Sequence, residues 1–215
     1  MKKLIFYCLL MLPSYLFSQI GIKGGLNFAQ ISKASDINSS SKSGFHIGLF
    51  LGAASKGIIS HRMELLYSKQ GYDYKNGTKS GDVNLDYIQM GQLLSINITK
   101  YISLMFGAQT AYLISAKVDS SNGASSTGNA QADKILDLYN RIDYGYALGA
   151  EVHPIAGLII GVRYNVSLAK VYKDVQSFQR PSFTSADAKN NLLQIFAGWR
   201  FGKNEKKKEK NNDHE

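Results

Sequence analysis

Four histidines and one cysteine are the residues here best suited to metal binding or nucleophilic chemistry. His46, His61, His153 and His214 are scattered without the short spacings of metal-binding motifs, and Cys8 stands alone near the N-terminus. These residue types in this arrangement predict no metal site.

Catalysis by other groups has little support. The sequence has no Gly-x-Ser-x-Gly run, and Gly21–Gly25 lacks the Gly-Lys-Ser/Thr ending of a phosphate loop. Glu64 and Glu151 could serve as an acid/base pair if the fold brings them together. Paired structural charges are the commoner outcome, so we predict no catalytic residues, no cofactor and no enzymatic activity. Whether Glu64 and Glu151 meet depends on the secondary-structure elements that carry them.

The N-terminus has the three parts of a secretory signal peptide. A basic start at Lys2 and Lys3 precedes an apolar run over 4–12, and Ser18 offers a small residue before the cut. The apolar run is shorter than the roughly 18 residues of a membrane-spanning helix. We therefore predict removal of residues 1–18, which leaves no cysteine and 23 basic against 16 acidic residues, a net charge of +7.

The rest of the chain alternates in polarity. Hydrophobic residues make up 44% of the sequence and mean hydropathy is -0.17, which resembles a soluble protein. The order of the residues changes that interpretation, because 158–168 places large apolar side chains at the even positions and small or polar side chains at the odd ones, with Ile159 as the exception. Eight segments show this period of two, so we predict an all-β chain of eight antiparallel strands over 19–202.

The links between the strands alternate in length. Three are short, at 55–57, 99–100 and 153–157. Four are long and polar: Ser32–Ser43, Tyr72–Asp82, Lys117–Arg141 and Val171–Lys189. Short periplasmic turns and longer outer loops are typical of transmembrane β-barrels of the bacterial outer membrane. The predicted location is therefore the outer membrane of a Gram-negative bacterium, with its lipid as a partner.

Aromatic residues fall near the predicted strand ends, where amphipathic rings meet lipid headgroups. The predicted aromatic girdle consists of Phe28, Phe45, Tyr72, Tyr101, Tyr112, Tyr144, Tyr172, Trp199 and Phe201.

The opposite face of the strands carries charges of both signs. The predicted lumen charge network consists of Lys23, Arg62, Glu64, Asp143, Glu151, Arg163 and Arg200. An eight-stranded barrel is just wide enough for side chains to fill, so these charges are expected to pair and close the lumen. A small pore or ligand channel is the alternative.

The C-terminal segment 203–215 has 5 lysines, 4 acidic residues and no apolar side chain. This composition predicts a disordered tail. Its charges nearly cancel, so binding to nucleic acid is not expected.

Four segments carry a resemblance to a known family: Gly21–Asn27, Glu64–Tyr72, Asp143–Ala150 and Gly198–Phe201. Their order and spacing resemble the PorT-like outer-membrane β-barrel family across about Ile20–Phe201. The resemblance implies an outer-membrane barrel, and the name-giving member of the family is tied to protein secretion. The chain departs from the family at Gly91, where relatives often carry proline.

Two functional hypotheses remain open at this point. In the first, the barrel has a structural or interaction role, with protein partners at its outer loops or periplasmic side. In the second, it is a transport or secretion accessory, either a small pore or a component of an export machine.

Overall fold

The computed structural model describes residues 19–32, 38–52, 57–76, 79–120, 136–173 and 187–201. These residues form eight strands: β1 (Gln19–Ser32), β2 (Asn38–Gly52), β3 (Ile59–Asn76), β4 (Lys79–Asn97), β5 (Ile102–Ser120), β6 (Ile142–Val152), β7 (Leu158–Ser167) and β8 (Lys189–Arg200). Each strand pairs antiparallel with its neighbours in the chain, and β8 pairs with β1 to close the barrel. The predicted fold class is confirmed. The predicted signal peptide and the tail at 203–215 lie outside the described residues.

Alternating polarity makes the two faces of the barrel. On β7, Ile160, Val162 and Tyr164 point outward and are exposed, whereas Arg163 and Asn165 between them are buried. The outward face is apolar because it meets lipid, and the inward face is polar because it lines the lumen. No helix among the described residues is long and apolar enough to cross a bilayer.

Short links mark one end of the barrel. Residues 53–58, 98–101 and 153–157 join β2 to β3, β4 to β5 and β6 to β7. By the rule that short turns face the periplasm, this is the periplasmic end. The opposite, outer end has two links that are long as predicted, 121–141 and 168–188, and two short ones, 33–37 and 77–78.

Strands β3, β4 and β5 extend far beyond what a membrane requires. They have 18, 19 and 19 residues, whereas β7 has 10. A tilted membrane strand needs about 9–11 residues. The excess of β4 over β7 is roughly 30 Å of extended chain. The upper parts of these strands, together with the start of β2, form a sheet that projects from the outer end; we call it the outer projection.

The prediction of a loop at Tyr72–Asp82 is wrong, because most of this segment belongs to the strands of the projection. Tyr72–Asn76 pair with Lys79–Val83, and only residues 77–78 separate β3 from β4. The start of β2 and the end of β5 were likewise predicted as loop, and they are strand from Asn38 and as far as Ser120.

The error has a physical cause. In the projection Asp73 and Lys75 point outward while Tyr72 and Tyr74 are buried inside. Above the membrane the outward face meets water, so the period of two persists but its polarity is reversed. Because an apolar outward face is expected only where a strand meets lipid, the polar outward face of the projection predicted a loop.

Candidate functional site in the barrel lumen

Glu64 on β3 lies at the centre of the lumen and is fully buried. Lys23 of β1 donates to both carboxylate oxygens, with Nζ at 3.2 and 3.0 Å from Oε1 and Oε2. Arg163 of β7 donates from Nη1 to Oε2 at 2.6 Å. Three strands are thus joined through one carboxylate.

A second ion pair lies on the periplasmic side of the first. Arg62 on β3 donates from Nη1 and Nη2 to the two carboxylate oxygens of Glu151 on β6, at 2.7 and 2.6 Å. Parallel bonds of this kind are the strongest form of guanidinium–carboxylate pairing. Arg62 Nη1 also lies 3.7 Å from Glu64 Oε1, so the two pairs form one network of three cations and two carboxylates.

The structure brings together five of the seven residues predicted for the lumen network. Asp143 does not join them: it accepts a hydrogen bond from Ser167 at the outer part of the barrel. Arg200 also stands apart, since no ion pair joins it to a carboxylate within the part of the chain that the structure describes. Its buried Nε atom has no hydrogen-bond partner there.

Neutral polar residues continue the network toward the outer end. Asn27 Oδ1 lies 2.8 Å from His46 Nδ1 and accepts from Gln194 Nε2 at 3.0 Å. Gln194 Oε1 in turn accepts from Arg163, with Nε at 3.0 Å and Nη2 at 2.6 Å. The buried guanidinium of Arg163 is therefore hydrogen-bonded on both sides.

Two phenylalanines inside the lumen were missed from the sequence. Lys23 Nζ lies 3.6 Å from the centre of the Phe196 ring, and the Arg62 guanidinium lies 5.1 Å from that of Phe50. Ring faces attract cations, so both side chains stabilise the charges beside them. Their inward positions in the alternating pattern were the signal that could have identified them, because an aromatic ring there must pack against the lumen charges.

Two residues predicted for the aromatic girdle lie inside instead. Tyr72 and Tyr172 are buried, and their hydroxyls are hydrogen-bonded to each other. Tyr172 also packs on Tyr139, with ring centroids 4.9 Å apart. Tyr72 belongs to the part of β3 in which polarity is reversed, and Tyr172 lies shortly after β7 and packs on Tyr139, so neither ring faces lipid.

These tyrosines are part of a larger buried cluster, the outer cap. Its other members come from the inner face of the projection and from the long links: Ile31, Tyr74, Val83, Leu85, Tyr87, Ala111, Leu113, Ala116, Val118, Leu136, Tyr139, Val171 and Ala188. Burial raises the pKa of the Tyr139 and Tyr172 hydroxyls above the usual range, so both remain protonated at neutral pH.

The other predicted girdle residues are on the outer surface. Between 36% and 53% of each side chain is exposed for Phe28, Phe45, Tyr101, Tyr112, Tyr144, Trp199 and Phe201. Tyr146 and Tyr164 are exposed on the same surface and were not predicted for the girdle.

The ion pairs limit the chemistry that the side chains of the lumen can perform. Glu64 and Glu151 both accept hydrogen bonds from cations, so each is held as a carboxylate that neutralises charge. Among the described residues, no group of three or more histidine, cysteine or acidic side chains is placed to hold a metal ion. The arrangement is suited to closing and stabilising the barrel.

A closed barrel with an apolar outer face and a charged lumen defines a transmembrane β-barrel. The chain belongs to the family described as the outer membrane protein beta-barrel domain, whose sequence profile matches residues 13–173. It is therefore a protein of the outer membrane of Gram-negative bacteria, surrounded by outer-membrane lipid.

Two solved structures are similar to this chain at low sequence identity. Neisserial surface protein A has a TM-score of 0.52 and 19% identity, with 85% of this chain and 97% of that chain covered. The attachment invasion locus protein Ail of Yersinia pestis has a TM-score of 0.48 and 17% identity, with 86% of this chain and 100% of that chain covered. A search of curated proteins found no match.

Proposed function

We propose that this protein is a sealed outer-membrane barrel that acts through its outer surface as an interaction protein and catalyses no reaction. The outer cap is the observation that carries the proposal. It packs fifteen buried side chains from the projection and the long links across the outer end of the lumen. A solute crossing the membrane through the barrel would have to displace this cluster.

The lumen charge network supports the same proposal. Lys23, Glu64 and Arg163 reach across the lumen from three strands and are each no more than 3% exposed. Separating them would leave charges unpaired in a narrow interior, which is strongly unfavourable. The cap and the network therefore lie in series along the barrel axis.

The projection supplies the surface for a partner. Its outward face carries charges of both signs, including Asp73, Lys75, Lys117 and Asp119. Lys42 bridges two of its strands by pairing with Asp82 and lying 4.0 Å from Asp73. A paired sheet presents these groups on a fixed frame, which suits recognition of a protein outside the cell.

Planar-bilayer recording tests the seal. The refolded chain is expected to give no discrete conductance steps, and steps on the nanosiemens scale would contradict the proposal. The variant Tyr72→Ala, Tyr172→Ala removes two rings from the cap and is expected to give brief, small openings. Tyr144→Ala, which removes an exposed ring from the lipid face, is the matched control and should remain silent.

Mild crosslinking in cells separates this function from the alternative of a transport or secretion accessory, which the resemblance to PorT-like proteins raises. Partners captured through cysteines placed on the projection, such as Lys75→Cys, support an interaction role. Stoichiometric capture of periplasmic secretion components, with none from the projection, would favour the alternative.

The remaining sequence predictions belong to the same proposal. We infer that residues 1–18 are removed on export, that 203–215 form a periplasmic tail, and that the exposed aromatic residues form the girdle. N-terminal sequencing of the protein from outer membranes is expected to begin at Gln19.

A further inference from the structure

The periplasmic end of the lumen opens into a cavity of about 640 Å³. This volume lies within the range of about 300–1,000 Å³ that is usual for small-molecule sites. The cavity lies below the ion pairs of the lumen, at the end of the barrel opposite the outer cap. The proposed function uses none of its residues except Arg62 and Glu151.

Positive charge dominates the lining of this cavity. Arg62, Lys100 and Arg200 are the cations of the lining in the described part of the chain, and Glu151 is its carboxylate. Arg62 is already satisfied, since both of its terminal nitrogens donate to Glu151. His153 Nε2 lies 3.3 Å from Glu151 Oε1 and 3.2 Å from Ser103 Oγ, so it is also committed to its neighbours.

Arg200 is a cation of the lining whose side chain has no ion pair with a described carboxylate. It is the last residue of β8, and its backbone N–H donates to the Gly157 carbonyl at 2.8 Å, which fixes it beside the 153–157 turn. Gly157 has a φ of 93°, a conformation that favours glycine, so this turn holds a defined shape against β8. The buried Nε atom of Arg200 has no partner among the described residues. A buried donor without an acceptor is costly, so this guanidinium has hydrogen-bonding capacity that the described residues do not use.

Apolar side chains complete the wall. Ile58, Ile98, Tyr101, Ile155 and Ile159 line the cavity around these cations. Lys100 Nζ lies 4.8 Å from the centre of the Tyr101 ring at the rim, where it adds a second positive charge to that of Arg200. A guanidinium fork beside apolar side chains suits a ligand with one compact oxyanion and an apolar portion.

We propose that this cavity is a binding site for a phosphate-bearing molecule, with Arg200 as the main anion ligand and Lys100 at the entrance. The phosphate comes either from a small periplasmic molecule or from the headgroup of an anionic lipid in the inner leaflet. The site is independent of the outer cap and of the projection, and it does not depend on the proposed function.

Binding of phenyl phosphate to the refolded full chain in maltoside micelles tests the proposal. Phenyl phosphate carries both the oxyanion and the apolar body, whereas phenol lacks the charge and serves as the probe control. Calorimetric titration is expected to show saturable binding of phenyl phosphate and none of phenol. Equal binding of the two probes, or no binding of either, would overturn the proposal.

Variants assign the binding to Arg200. Arg200→Gln is expected to weaken phenyl phosphate binding by about tenfold or more, since it removes a charge-assisted hydrogen bond. Lys100→Gln should weaken it less. Arg141→Gln, which removes an exposed arginine at the outer end, is the matched control and should bind as the unaltered chain does. Full affinity in Arg200→Gln would overturn the assignment.

A spectroscopic measurement covers the case in which Arg200→Gln fails to refold. The Nε–Hε resonance of Arg200 in the unaltered chain should shift as phenyl phosphate is added and stay in place with phenol; a resonance unmoved by both would overturn the proposal. Added phosphatidylglycerol separates the two sources: competition with phenyl phosphate indicates the lipid headgroup, and unchanged affinity indicates a periplasmic small molecule.

Discussion

Glu64 neutralises more positive charge than any other side chain in the described lumen. It accepts hydrogen bonds from Lys23 and Arg163 and lies 3.7 Å from Arg62, so three cations depend on one carboxylate. Their hydration has been given up, and in the described lumen Glu64 and Glu151 supply the negative charge that compensates for it. The lumen is therefore most sensitive at Glu64.

Glu64→Gln tests this dependence. The amide keeps the shape of the side chain but removes its charge, which leaves Lys23 and Arg163 buried without their main counter-charge. We expect the free energy of unfolding to fall by about 3–5 kcal/mol. Urea unfolding in micelles, followed by tryptophan fluorescence, measures it.

Asp143→Asn is the matched control for Glu64→Gln. Asp143 also faces the lumen side of a strand, but its partner is the Ser167 hydroxyl rather than a cation. Loss of this hydrogen bond should lower the free energy of unfolding by only about 1 kcal/mol. Equal destabilisation by the two variants would show that the ion network adds nothing beyond ordinary hydrogen bonding.

At the scale of the element, β1 shows how small side chains allow the barrel to close. Gly24 and Gly25 are adjacent but face opposite sides of the strand. A Cβ atom on inward-facing Gly25 would lie 2.0 Å from the Ile195 carbonyl oxygen of β8, whereas one on outward-facing Gly24 would meet nothing nearer than 3.4 Å. The β1–β8 pairing that closes the barrel therefore requires glycine at one position and tolerates a larger residue at the other.

Gly25→Ala is expected to impair closure. The new methyl group would push against the backbone of β8, at a cost of about 3 kcal/mol. The fraction of protein that refolds into lipid vesicles, read from heat-modifiable migration in SDS gels, should fall clearly. Gly24→Ala should refold like the unaltered chain, and a similar loss in both variants would argue against the close approach of β1 and β8.

At the scale of the whole molecule, the outer surface divides into an apolar belt and a charged projection. Leu148 lies near the middle of β6 and is 64% exposed within a belt of exposed apolar side chains, as expected where the surface meets lipid. Asp119 is also exposed, but it lies near the outer end of β5, beyond the belt. The boundary between the two zones is the membrane surface.

Leu148→Arg and Asp119→Arg test the position of that boundary. An arginine at the middle of the lipid face should destabilise the folded barrel in vesicles by about 2–4 kcal/mol. The same residue on the projection stays in water and should change stability by about 0.5 kcal/mol or less. Equal effects would place the membrane elsewhere on the molecule.

The sequence predicted the lumen charges better than the aromatic positions. Lys23, Arg62, Glu64, Glu151 and Arg163 follow directly from the alternating pattern, because a charge cannot face lipid and must point inward. Tyr72 and Tyr172 were assigned to the lipid surface because tyrosine is stable on either side of the strand. A charged residue in a membrane strand indicates which face points inward, whereas a tyrosine does not.

By itself the sequence determined that this chain forms an eight-stranded barrel, since the period of two and the spacing of the strands depend only on local order. The tertiary structure decided where the membrane ends, which carboxylate pairs with which cation, and that Arg200 lines a periplasmic cavity without an ion pair to any described carboxylate. These features depend on register and strand tilt, which bring together residues as far apart as Glu64 and Arg163. Local patterning contains no information on such contacts, because they form only when β8 closes on β1.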